Sequence, residues 1–403
     1  MLVKPQSSPV AKIKVVGVGG AGGNVVNAMV EDGTILDVEF LAINTDAQAL
    51  QSSKADTKLR VGDGITRGLG SGGNPIVGRK SAEESVEMIH ESLAGSDMVF
   101  ITAGMGGGTG TGAAPIVGEV AKNQGALTIA VVMKPFHFEG QRRMEAALKG
   151  IDELKQKVDT MIIIPNQRLL EIMEPSASFS DAMHKSDEVM LQAVKSIANL
   201  CTQTGLINVD FADVRSIMDN AGTAMMGIGR ASGEDRAMQA AIQAIESPLL
   251  EVKINGATGV LLNIVGGRSL RIHEIDEAAR VVGERVAQDA NIIFGARIDE
   301  GMSADEIEIT VIATGFTDED SRGPAVDPFK LRAARTISGV NQANPTTRPL
   351  SANATEAEAE ANRLKGTSTF GNLIAEEPAA SYESFEDEPS FMRRKPGSTD
   401  DSN

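Results

Sequence analysis

Gly104-Met-Gly-Gly-Gly-Thr-Gly-Thr-Gly112 follows directly on the apolar run Met98-Val-Phe-Ile-Thr-Ala103 and leads into Ala113-Ala-Pro-Ile-Val-Gly-Glu119. A segment with almost no side-chain bulk, set between a strand-like run and a helix-like one, has only its backbone to offer. Glycine admits positive φ and lets a ligand come close to the chain. A helix after such a loop aims its free N–H groups and positive dipole end back into it. The stretch therefore predicts a cradle for an anion, most simply a chain of phosphates. A flexible linker is the competing reading, and the short span between strand and helix leaves little room for one.

Toward the N-terminus, the apolar strand Lys12-Ile-Lys-Val-Val-Gly-Val18 runs into Gly19-Gly-Ala-Gly-Gly-Asn24 and a helix through Val25, Val26, Ala28 and Met29. Strand, glycine turn and helix open a nucleotide-binding α/β domain. Gly17, Gly19 and Gly22 satisfy GxGxxG, and Glu39 lies near the offset of a ribose-binding acid, so a dinucleotide-dependent oxidoreductase is one candidate. Two further glycines and Asn24 make this cradle more permissive than a dinucleotide turn requires. A second strand, Val38 to Ile43, ends in Asn44-Thr-Asp46, at the end of a parallel strand where such sheets bind ligands. Gly62 to Gly78 is glycine-rich again, and Gly73-Asn-Pro-Ile-Val-Gly-Arg-Lys-Ser81 nearly spells a P-loop. Arg79 stands where lysine is required and no strand leads in, so this region reads as a surface loop, with Pro75 opening the next helix.

Apolar strands continue at 126–133 and 160–165, with helices at 113–124 and 139–157, which implies a parallel sheet covered on both faces. Glu139 and Arg143 stand four apart after the strand at 126–133. An i,i+4 surface pair and ligand contact are both open to them, and their place at a strand's carboxyl end favours the ligand. Helical spacing then runs unbroken from Ser178 to Cys201, a central strut about 35 Å long at 1.5 Å per residue, opened by a capping box of Ser178 and Asp181. Asn166 and Asp187 offer an amide and a carboxylate, the pair that matches guanine's O6 acceptor and its N1–H and N2–H₂ donors. Beyond the strut, Asp210 and Asp213 open a helix at 214–219. They read either as an N-cap with a first-turn acid or as carboxylates that orient and deprotonate a water beside phosphate. Facing their own chain's phosphates they would repel them, so the catalytic reading makes sense if they serve another molecule. Strands at 223–230, 259–266, 291–297 and 306–314, with helices at 234–245 and 272–287, form a second α/β unit without phosphate-type loops. From Thr317 the sequence is polar and predicts disorder, ending in Phe391 and Met392 beside a basic cluster, the pattern of a docking peptide.

The net charge of −17 argues against a general nucleic-acid binder. No apolar run is long enough to span a membrane, and no leader for export is expected. Cys201 is the single cysteine, which suits a reducing cytoplasm, and the four histidines are too scattered in sequence for a metal motif.

GMGGGTGTGAAP at 104–115, GVGGAGGN at 17–24, KPF with FEG at 134–140 and NVDFADV at 208–214 together resemble the FtsZ family, the tubulin-like bacterial cell-division GTPases. The resemblance implies a tubulin-like α/β fold: a flexible N-terminus (1–11), a parallel-sheet GTP-binding domain (12–177) and a long central helix (178–202). A second α/β domain carrying the acidic loop (203–316), a disordered linker (317–384) and a partner-docking peptide (385–395) would follow. It implies GTP or GDP contact by Gly20, Ala21, Gly22, Gly23 and Asn24, by Gly106, Gly107, Gly108, Thr109 and Gly110, and by Glu139, Arg143, Asn166 and Asp187. Asn208, Asp210 and Asp213 take the catalytic role, completing the site of the next subunit. Met183 stands where the family often has phenylalanine, and Ala21 where it often has glycine. Mg²⁺ would be held through the nucleotide phosphates, with no protein metal site. The implied partners are further copies of the chain in head-to-tail protofilaments, and membrane-tethering and regulatory division proteins at a cytoplasmic mid-cell ring. A non-catalytic nucleotide-gated scaffold is the third candidate beside the GTPase and the oxidoreductase.

Overall fold

A computed structural model describes residues 11–174, 176–203, 205–250 and 254–316. The linker and docking peptide expected from 317 onward lie outside the described residues, as does the N-terminus up to residue 10.

The elements run β1 (Ile13–Val18), α1 (Gly19–Asp32), β2 (Val38–Asn44), α2 (Ala47–Ser52), β3 (Thr57–Arg60), α3 (Asp63–Thr66), α4 (Pro75–Glu84) and α5 (Val86–Leu93). Then come β4 (Met98–Gly104), α6 (Thr109–Asn123), β5 (Leu127–Lys134), α7 (Gln141–Lys155), β6 (Thr160–Pro165), α8 (Asn166–Ile172) and α9 (Phe179–Thr202). The last are α10 (Phe211–Met218), β7 (Gly222–Ser232), α11 (Arg236–Ile245), β8 (Gly259–Gly266), α12 (Ile272–Gly283), β9 (Asn291–Ile298) and β10 (Glu306–Thr314).

Among the described residues one ten-stranded sheet has the order β3-β2-β1-β4-β5-β6-β7-β10-β8-β9. Strands β1 to β6 are all parallel. β7 joins β6 in parallel over the short register Thr160↔Gly222 to Ile162↔Ala224 and then pairs antiparallel with β10. β10 is antiparallel to β8, and β9 is parallel to β8, so the second half of the sheet is mixed.

β4 and β5 are buried along almost their whole length and mostly apolar because both faces are covered. One face packs Val25, Val26 and Met29 of α1 and much of α9; the other packs Ala113, Ala114 and Val117 of α6 and Ile151 and Leu154 of α7. α9 is buried along Val189, Met190, Val194 and Ile197, in a cluster that also holds Ala224, Met226 and Ile312 from β7 and β10. Its entry is the expected capping box: Ser178 Oγ accepts from Asp181 N (3.2 Å), and Asp181 Oδ2 accepts from Ser178 N (2.8 Å).

Both glycine stretches are less loop-like than their composition predicts. Thr109 to Gly112 form the first turn of α6, and Gly19 to Asn24 lie inside α1 rather than in a turn before it. The reason is crowding. A Cβ on Gly22 would sit 2.2 Å from the Thr102 carbonyl oxygen, one on Gly110 2.7 Å from that of Gly104, and one on Gly112 2.1 Å from that of Pro75. Glycine is accepted in these helices, despite its low propensity, because the helices lie against neighbouring backbone. β3, α2, α3, α5 and α8 were not foreseen. β3 is a four-residue edge strand carrying Lys58 and Arg60, a charged edge that blunts pairing with other chains and hides the strand from an apolar pattern.

Candidate functional site

At the carboxyl ends of β1, β2, β4, β5 and β6 lies a cleft of about 590 Å³, the place an open parallel sheet offers a ligand. Its floor is made by two helix starts. α1 begins after Val18 and α6 after Gly108; neither has a side-chain cap or an acidic residue in its first turn. Their orphan N–H groups and positive ends are therefore left to a ligand. The two starts abut, since a Cβ on Gly19 would stand 2.8 Å from Gly110 N.

The glycines divide by what surrounds them. Gly19 (φ +76°) and Gly106 (φ +98°) hold backbone that other residues rarely adopt. Gly108 has Asn74 N at 2.8 Å from where its Cβ would lie. By contrast Gly20, Gly23 and Gly107 have open space where a Cβ would go. The fold does not require glycine at these three, and at Gly20 and Gly107 the open space belongs to the cleft. Ala21, where φ is not positive, sits within α1 and reaches the cleft without strain.

Of the residues foreseen, Gly20, Ala21, Gly107, Gly108, Thr109, Gly110, Glu139, Arg143 and Asn166 line the cleft, with Met183 beside them. Glu139 and Arg143 form the i,i+4 ion pair and also line the cleft. Glu139 Oε1 also accepts from Phe136 N (3.0 Å), which fixes the carboxylate. Asn166 is buried, and its Oδ1 accepts from Ser186 Oγ (2.7 Å), so its amide nitrogen remains as the donor for the cleft. Gly22, Gly23, Asn24, Gly106 and Asp187, also foreseen, are not among the lining residues; Asp187 lies one helical turn beyond Met183 on α9. Its carboxyl makes no hydrogen bond or ion pair among the described residues, and burial pushes it up to about 6, partly offset by the nearby His184.

Sequence reading missed the outer wall. Leu69 to Gly73, taken as surface loop, lines the cleft, and Ser71 Oγ bonds Thr109 Oγ1 (3.1 Å), which in turn bonds Thr45 Oγ1 (2.7 Å). The glycine-rich composition was the available signal; the absence of a leading strand hid it, because this loop enters from α3. Pro75 does open α4, capped by Asn74 Oδ1 accepting from Ile76 N (3.0 Å). Glu39 does not act as a dinucleotide fold's ribose acid. It is the second residue of β2, at the opposite end of the sheet from the cleft, and pairs with Lys14 (3.1 Å).

Asp210 and Asp213 form a capping box on α10: Asp210 Oδ1 accepts from Asp213 N (2.8 Å), and Asp213 Oδ2 from Asp210 N (3.4 Å). Both are exposed, and neither lines the cleft. Asn208 Oδ1 accepts from Gly205 N (2.6 Å) and shapes the turn before them. Cys201, near the end of α9, is pushed up to about 12 by burial and then by Asp210, so it stays a thiol. Among the described residues no three acidic, His or Cys side chains gather into a metal site, and no helix is long and apolar enough to cross a membrane.

Residues 12–174 match the model of the Tubulin/FtsZ family GTPase domain, and residues 222–317 that of the FtsZ family C-terminal domain. A solved structure described as an empty FtsZ dimer from M. jannaschii is 48% identical, with a TM-score of 0.73, over 76% of this chain and 88% of that one. CetZ2 from Haloferax volcanii, described as a GTPgS-bound protofilament, shares the fold at 20% identity and a TM-score of 0.67, over 81% of this chain and 98% of that one. Carrying the paired helix starts of the GTPase domain and matching a solved FtsZ at this identity over most of its length, the chain belongs to the FtsZ family, the tubulin-like GTPases of the cell-division cytoskeleton.

Proposed function

We propose that this chain binds GTP in the cleft and assembles head to tail, and that its acidic loop completes hydrolysis on the neighbouring subunit. The first turns of α1 and α6 hold the phosphates, Glu139 and Arg143 hold ribose and phosphate, and the amide of Asn166 with the carboxylate of Asp187 reads guanine. From a second copy, Asp210 and Asp213 orient and deprotonate the attacking water, with Asn208 holding their loop. In the cell the filament would form the mid-cell division ring in the cytoplasm, with membrane-tethering and regulatory division proteins docking on residues 385–395.

The observation that carries this reading is the separation of the two half-sites. Asn166 and Met183 bring the cleft to the first turns of α9, whereas the acids follow its last turn. A helix of 24 residues spans about 36 Å at 1.5 Å per residue, so one chain does not close the site on itself. Repulsion between carboxylate and phosphate supports the same arrangement, since each is tolerable alone and they meet only on assembly.

The donors beside the cradle, Asp46 and the hydroxyls of Thr45, Ser71 and Thr109, are hard oxygen ligands of the type Mg²⁺ takes. They fit an ion held chiefly by phosphate, with Asp46 adding a carboxylate. When bound, the ion neutralises charge on the phosphate oxygens.

The test is GTP hydrolysis per molecule against protein concentration. It should rise steeply across an assembly threshold. A rate per molecule that stays flat from well below to well above that threshold would overturn the shared-site reading.

A further inference from the structure

α6 starts at the phosphate cradle, and its other end meets the helix of the acidic loop. In its last turn, Lys122 Nζ pairs with Asp159 Oδ1 (2.9 Å) and donates to Asn220 Oδ1 (2.8 Å) and to the Val158 carbonyl (3.3 Å). Asn220 lies two residues beyond α10. Just past α6, the carbonyl of Gly125 accepts from Arg215 Nη2 (3.2 Å), and Arg215 belongs to α10 itself. Asp159 is a fixed post: it is buried, its Oδ2 accepts from Thr128 N (2.8 Å), and its carbonyl accepts from Gly222 N (2.9 Å).

α10 has eight residues and buries only Val214, Ile217 and Met218. One short apolar stripe sets which side faces the core, and the hydroxyls of Thr160 and Thr314 donate to the carbonyls of Met218 and Ile217 at the far end of the helix, away from the two acids. The capping box fixes Asp210 and Asp213 relative to α10, not relative to the rest of the chain. The bridge between Ile207 and Ala296 holds the approach to the loop, and the two ties from α6 add a reference at the other side, one on the helix and one beyond its end. Exposed polar contacts of this type contribute little to stability, whereas a misplacement of about 1 Å in a catalytic group lowers rate by about 100-fold.

We infer that Arg215 and Asn220 are positioning residues, which hold the acidic loop in place against the C-terminal end of α6. The inference rests on the reading that Asp210 and Asp213 serve the neighbour's nucleotide. Neither residue lines the cleft, so their loss should leave nucleotide binding alone.

The experiment uses the full chain carrying Arg215→Ala or Asn220→Gly. Asn220 has φ +50°, which glycine adopts freely, so the second variant removes the amide without straining the turn and leaves Lys122–Asp159 intact. For each, GTP affinity of the unassembled chain and the thermal midpoint should be unchanged, while turnover per assembled subunit falls by about ten-fold or more, and Arg215→Lys recovers part of it. Mixing then locates the defect. Gly107→Glu places a carboxylate in open space of the cradle, abolishing phosphate binding while keeping a sound acidic loop. Asp213→Asn mixed with Gly107→Glu should regain hydrolysis; failure there overturns the shared site itself. If that mixture recovers, Arg215→Ala and Asn220→Gly mixed with Gly107→Glu should recover too. Recovery of the first mixture without these, or unchanged turnover in both single variants, overturns the positioning role. Should Arg215→Ala fail to fold, Asn220→Gly carries the same comparison.

Discussion

Asp187 is ionised only against the pull of its surroundings. Its folded value of about 6 lies above the ordinary 3.8, chiefly because burial disfavours the charge. The folded chain therefore keeps a proton that the unfolded chain releases between those values. Its contribution to stability declines as pH rises through that window, and the penalty is complete above about 6. A ligand that donates N–H groups to the carboxylate reverses the balance by favouring the charged form. Guanine nucleotide affinity should thus tighten as pH rises through about 6, read by a binding titration on the unassembled chain. Asp187→Asn should flatten that profile and weaken binding at neutral pH by about 1.5 to 3 kcal/mol, the scale of a hydrogen bond to a charged group. An unaltered profile in the variant would remove Asp187 from the base site.

At the scale of single elements, α10 separates two roles that one carboxylate plays. Asp210 caps a helix and is also the proposed hydrolytic acid. Asparagine caps about as well as aspartate, whereas alanine loses about 1 kcal/mol. Asp210→Asn should therefore keep the denaturation midpoint and lose most hydrolysis, while Asp210→Ala loses both. If Asp210→Asn hydrolyses GTP normally, the carboxylate is only a cap. Elements with strong periodicity were legible in the sequence: β1, β2, β4 to β6 and α9 fall within a residue or two of their expected bounds. The acidic cap of α10 was legible, although the helix begins three residues earlier than expected, and so were Gly20 and Gly107 to Gly110 of the cleft, because a loop without side chains has few other uses. What stayed hidden depends on where chains pass in space. Leu69 to Gly73 joins the cleft through Ser71 and Thr109, a pairing across 38 positions that no local pattern announces. Glu39 had the right offset in sequence but stands at the wrong end of its strand. That the glycine stretches are helical was likewise hidden, since what calls for glycine there is backbone pressed against backbone.

Across the whole molecule, the parallel and mixed halves of the sheet share few strand pairs at β6–β7 but one apolar cluster along α9. Ile197, fully buried in that cluster, should transmit its loss both ways. Ile197→Ala should destabilise the fold by about 2 to 5 kcal/mol, and hydrogen exchange should speed up together in peptides from β1–β4 and from β7–β10. Faster exchange confined to one half would show that the halves unfold independently.

The abutting starts of α1 and α6 have an electrostatic consequence for the chain as a whole. Each uncapped end carries about half a positive charge, and the close approach at Gly19 and Gly110 sets the two against one another. The fold thus sets up a local repulsion that an incoming anion relieves. A phosphate bound there would relieve that repulsion as well as add contacts, so its binding should stabilise the chain by more than the contacts alone.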